Sequence, residues 1–122
     1  LSAKRFRIGA GTTIRYRLSE PATVTLAFER VRLGRRVRGR CVKPKRRNRA
    51  NRRCVRYVAA RPALTFRNQA AGERRIRFTG RLSRRKVLTP GPYRLTLRAR
   101  DAAGNRSAPL RARVTVLPRK RR

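Results

Sequence analysis

The chain has 122 residues, 38 Lys or Arg against four acidic residues and no His, and a formal net charge of +34. General acid–base catalysis needs a group that titrates near neutral pH or two carboxylates with separated pKa values. Glu20, Glu29, Glu73 and Asp101 are scattered, and with two cysteines they assemble no metal-ligand cluster, so the composition speaks against an enzyme, a small-molecule substrate, and a metal or other cofactor.

One domain is expected at this length. The charge opposes compaction, and a chain this charged can be disordered. Regular apolar alternation decides for a folded core. Thirty-three of the basic residues are Arg. Arg suits bidentate recognition of phosphate or carboxylate, yet its spread over nearly every expected strand is also what a GC-rich coding bias produces. The chain lacks Met and begins at Leu1, which reads as a piece of a longer protein. The absence of a signal peptide or a long apolar run therefore says little about the parent.

Phe6 to Ile8 is a short strand candidate. Ile14, Tyr16 and Leu18 then alternate with Arg15 and Arg17, and after the turn Ser19-Glu20-Pro21-Ala22 so do Val24, Leu26 and Phe28 with Thr25 and Ala27. Alternation of this kind marks strands with one buried and one wet face.

Residues 35–56 carry twelve Lys or Arg in 22 positions and no acid, and read as a basic inserted hairpin or loop. Cys41 and Cys54 lie inside it. A structural disulfide and an oxidising compartment are the first reading, and two reduced thiols the second.

Val55 to Val58 and Leu64 to Phe66 are further short candidates. Ile76 and Phe78 alternate with Arg75 and Arg77. Tyr93, Leu95, Leu97 and Ala99 follow the turn Thr89-Pro90-Gly91-Pro92, and Leu110, Ala112, Val114 and Val116 follow Asp101-Ala102-Ala103-Gly104-Asn105. Seven or eight short strands predict an all-β antiparallel sandwich over 1–117, with Tyr16, Leu26, Phe28, Phe78, Tyr93, Leu95, Leu97 and Val114 in one core. Residues 118–122 read as a basic tail: a linker, an anchor, a nuclear-localisation-like cluster or simply a solvated end.

The stretch Leu18-Ser19-Glu20-Pro21-Ala22-Thr23-Val24-Thr25-Leu26 resembles the strand–turn–strand of bacterial immunoglobulin-like and fibronectin type III-like modules. Pro90-Gly91-Pro92-Tyr93-Arg94-Leu95 through Asp101-Ala102-Ala103-Gly104-Asn105-Arg106-Ser107 resembles their ending, and the Arg-rich Cys…Cys insert resembles a version found in secreted or surface proteins of high-GC actinobacteria. The resemblance implies an immunoglobulin-like sandwich. It implies a Tyr93 hydroxyl bonded to nearby backbone as in a tyrosine corner, and positive φ at Gly104 and Asn105. With no Trp and two Cys close in sequence, the bridge is expected to pin the insert rather than join two sheets.

Function is expected to be non-enzymatic: an extracellular structural or adhesion module, secreted or at the cell surface. Its basic face would meet anionic cell-wall or surface polymers. The candidate contacts are Arg40, Lys43, Lys45, Arg46, Arg47, Arg49, Arg52, Arg53 and Arg56. The alternative is a nucleic-acid-binding protein whose Arg-rich hairpin makes sequence-independent phosphate contacts. Of the seven aromatics, Tyr57 alone lies near the insert, which is little for base stacking. A membrane-active domain is the third reading, and no amphipathic helix supports it.

Overall fold

The alternating runs become strands that pack face to face. The computed structural model describes residues 4–120, and Arg121 and Arg122 of the expected tail lie outside the described residues. Eight strands follow in order: β1 (Arg5–Arg7), β2 (Thr12–Leu18), β3 (Ala22–Val37), β4 (Arg40–Val42), β5 (Arg53–Gln69), β6 (Gly72–Phe78), β7 (Gly91–Asp101) and β8 (Leu110–Leu117). One short 3-10 turn, Arg46–Asn48, lies between β4 and β5.

A two-stranded sheet, β2 with β6, packs on a six-stranded sheet. The large sheet runs β1-β8-β7-β3, and the other edge of β3 carries β5. The all-β sandwich is as expected. One pairing departs from the antiparallel expectation: β1 runs parallel to β8, Phe6 opposite Val116.

All eight expected core residues are buried, and Phe28 is 1% exposed. Phe28 stacks on Phe78 at 4.4 Å between ring centroids, and Phe6 meets Phe78 edge-on at 5.8 Å. Offset stacks and edge-to-face pairs add to the area they bury. Leu82 and Leu88, from the β6–β7 connection, close the same core. Tyr16 enters it with a hydroxyl that has no hydrogen-bond partner among the described residues. Burial pushes this phenol above its usual range, and Arg74 works weakly against that. Tyr93 donates its hydroxyl to Thr89 O at 2.8 Å, the backbone bond that the resemblance implied.

Two expectations need correction. Val55 to Val58 and Leu64 to Phe66 belong to one strand, β5, which bends at two irregularities in its pairing with β3. Arg61-Pro62-Ala63 forms one of them, where a Pro without an N–H costs the ladder nothing. Residues 35–56 take in the end of β3, β4, the 3-10 turn and the start of β5, so the basic stretch is continuous with the sheet. Gly104 has φ of 87°, while Asn105 is not left-handed and instead donates its backbone N–H to Asp101 Oδ1 at 2.8 Å.

Candidate polyanion interface

The continuation of β3 and β5 makes an arm. The last β7 residue paired with β3 is Tyr93, opposite Arg30, so Val31–Val37 extends past β7, roughly 20 Å at strand rise. Along β3 the core face holds Val24, Leu26 and Phe28, then Arg30, Arg32 and Gly34. The other face holds Thr25, Ala27 and Glu29, then Val31 and Leu33. The apolar residues change faces near Arg30, where the body of the sandwich gives way to the arm.

Arg30 marks that boundary. Its Nη1 donates to Pro90 O at 2.7 Å and to Thr89 O at 3.2 Å, and its guanidinium lies 5.1 Å from the Tyr93 ring centre. This arginine is a strut that ties β3 to the β6–β7 connection.

At the tip, β3 turns into β4 through Arg38 and Gly39, both at positive φ (51° and 79°), with Val37 opposite Arg40. Positive φ at both central residues is the backbone twist that a two-residue hairpin favours. Cys41 on β4 is bonded to Cys54 on β5, with 5.9 Å between Cα atoms. The two strands flank β3, and the bridge passes over Gly34, which pairs with Cys54. A Cβ built at Gly34 would collide with Cys41 Sγ and with Arg56 Cγ, so the crossing needs glycine.

The loop between the cysteines is built rather than slack. Asn48 is buried, accepts from Lys45 N at 2.8 Å and donates to Lys43 O at 3.2 Å. Asn51 donates to Arg36 O at 2.8 Å, and Arg35 donates to Asn51 O at 2.9 Å. Reduction of the disulfide is expected to raise amide exchange at residues 42–53 at least tenfold. The strands β2 and β6 should be little changed, because the bridge closes only a local loop worth about 3 kcal/mol in chain entropy. Equal acceleration in β2 and β6 would contradict this.

The expected contact residues distribute as follows. Arg40, Lys43, Lys45, Arg46, Arg47, Arg49, Arg52 and Arg53 are exposed on the tip and its loop. Arg56 is half-buried on the arm face that carries the disulfide, opposite Arg32, and donates Nε to Leu33 O at 3.3 Å. Arg53 stands opposite Arg35. Like charges directly across strands destabilise the pair. No carboxylate offsets them: the ion pairs among the described residues are Arg94–Glu29 at 2.7 Å and an exposed Arg17–Glu73 at 3.9 Å.

Three of the four acids gather at the opposite pole. Ala22 begins β3 opposite Asp101, and Leu18 ends β2 opposite Gly72, so Glu20, Glu73 and Asp101 share the end of the sandwich remote from the arm. Sixteen residues of β3 span about 50 Å between the two ends. The backbone bond from Asn105 holds the Asp101 carboxyl below its usual range, against a weaker effect of burial. The tie it makes is therefore full above the ordinary carboxylate range and is lost as pH falls through the lowered value.

Several residues of the outer face carried no warning in the sequence. Arg94 donates both Nε and Nη2 to Glu29 Oε1, and its guanidinium stacks 3.6 Å from the centre of Tyr57. Arg113 donates to Tyr57 Oη at 2.9 Å. These contacts pair positions more than 50 residues apart in most cases, so only the sheet register brings them together. No family model, curated protein or solved structure matches the chain.

Proposed function

We propose that this domain is a non-enzymatic extracellular module of immunoglobulin-like type, structural or adhesive, and that its basic arm contacts anionic polymers of a cell wall or cell surface. The observation that carries the reading is the arm. A hydrogen-bonded loop pinned by Cys41–Cys54 presents a dense array of cations, and three of the four acids sit at the other pole. Holding like charges together costs free energy that an anionic partner offsets, and an ordered display loses less entropy on binding than a slack one. The disulfide favours an oxidising location, and no helix among the described residues is long and apolar enough to cross a membrane.

A second reading draws on the same arm. A basic two-stranded ribbon has the shape that some proteins lay into a nucleic-acid groove. One binding series separates the readings: a teichoic acid, a sulfated polysaccharide, duplex DNA and single-stranded RNA at physiological salt, against a charge-matched unfolded peptide. The module reading expects surface polymers to exceed the peptide control by more than DNA and RNA do. An excess confined to DNA or RNA overturns it in favour of the second reading.

A further inference from the structure

Away from the arm, the outer face of the large sheet holds an open cleft of about 540 Å³. Its floor is small: Ala27 of β3 stands directly opposite Thr96 of β7, and Ala59 and Ala60 of β5 continue it. The bulge Arg61-Pro62-Ala63 forms one wall, and Arg111 of β8, opposite Thr96, the other. With about 4.8 Å between neighbouring strands, the cleft is some 14 Å from β5 to β8. A volume of this size suits a short ligand.

Four guanidiniums rim the space, and they are not equivalent. Arg94 is neutralised by Glu29 and stacked on Tyr57. Arg61, Arg98 and Arg111 have no acceptor among the described residues. Arg98 faces Thr25 across the strands and Arg111 faces Thr96, and the one carboxylate that also lines the cleft, Glu29, is ion-paired to Arg94 among the described residues. Three unneutralised cations around one concavity add their fields within it, although solvent reaches all three side chains and salt screens them in part. Guanidinium forks match tetrahedral oxyanions with paired hydrogen bonds.

We infer that this cleft is an anion site distinct from the arm, taking a short ligand with two or more phosphate or sulfate groups through Arg61, Arg98 and Arg111. It goes beyond the arm reading, since a small anion can bind here whether or not the arm holds a polymer. Two such groups fit because Arg98 and Arg111 lie on a diagonal about 8 Å apart at the backbone and Arg61 reaches in from the far wall.

The test uses inorganic tripolyphosphate and, separately, a polysulfated disaccharide at 0.15 M NaCl. Calorimetry gives affinity, and amide shifts give location. Binding should shift the amides of Ala27, Ala59 and Thr96, and the probe that binds tells phosphate from sulfate. The variant R61S/R98S/R111S should bind at least roughly tenfold more weakly, while R46S/R47S/R49S in the arm should leave affinity for the small probe unchanged. R61K/R98K/R111K keeps the charge but loses the fork, and should also weaken binding. The inference is overturned if neither probe shifts the floor amides. It is equally overturned if the Lys variant binds like the parent, or if the arm variant loses as much as the cleft variant.

Discussion

Replacing Lys45, Arg46, Arg47 and Arg49 with Ser is expected to weaken binding to duplex DNA by about a thousandfold at 0.15 M salt, if each side chain neutralises one phosphate. The slope of log K against log salt should flatten by roughly 0.9 for each phosphate no longer neutralised. These four are exposed on a loop whose backbone is held by Asn48 and Asn51, so the substitutions remove charge without removing support. The comparison set is Arg15, Arg75, Arg84 and Arg85, which are exposed and lie outside the arm. Arg94 and Arg113 are poor comparators, because one holds Glu29 and the other holds Tyr57. The same titration on a teichoic acid should show the same ordering with a slope set by that polymer's charge spacing. Equal losses from both sets would mean that binding follows net charge alone and that the arm has no special part.

The body of the sandwich was legible and the arm was not, for one physical reason. Ile14, Tyr16 and Leu18, or Tyr93, Leu95 and Leu97, alternate because one face meets a second sheet and the other meets water. In β3 that contrast ends at Phe28. Beyond it Arg30 and Arg32 occupy the core-side positions and Val31 and Leu33 the outer ones, so a search for one apolar face stops at Phe28 while the strand continues to Val37. Strand β5 is an edge with no deeply buried position, and its irregularities and Pro62 break its period, so it reads as two fragments. The turn at Arg38-Gly39 lacks the Asn or Asp that usually announces a two-residue hairpin. Of the candidate binding residues, the cluster in residues 35–56 was visible as composition. The cleft was not, because Arg61, Arg98 and Arg111 come from three strands and look like ordinary wet-face arginines until the register sets them around Ala27.

Replacing Phe28 with Ala is expected to cost about 3–5 kcal/mol, the larger of the two stability effects argued for this fold. Phe28 is among the most deeply buried side chains, and its loss leaves Phe78 without its stacking partner at the centre of the core. A domain of this size has about 5–15 kcal/mol of stability in total. Here part of that is opposed by a net charge of +34 and by facing pairs such as Arg15 with Arg75 and Arg32 with Arg56. Salt screens this repulsion, since the Debye length falls from about 10 Å at 0.1 M to about 3 Å at 1 M. The melting temperature of the parent should therefore rise between 0.02 and 0.5 M NaCl. The Phe28→Ala variant should be largely unfolded at the low end and regain much of its structure at the high end, followed by circular dichroism of the β-sheet signal. Sulfate at matched ionic strength should do more than chloride, because it is excluded from apolar surface and also binds guanidinium. A parent melting temperature that does not move with salt would mean the repulsion is already relieved in the folded chain, and the rescue of the variant should then fail as well.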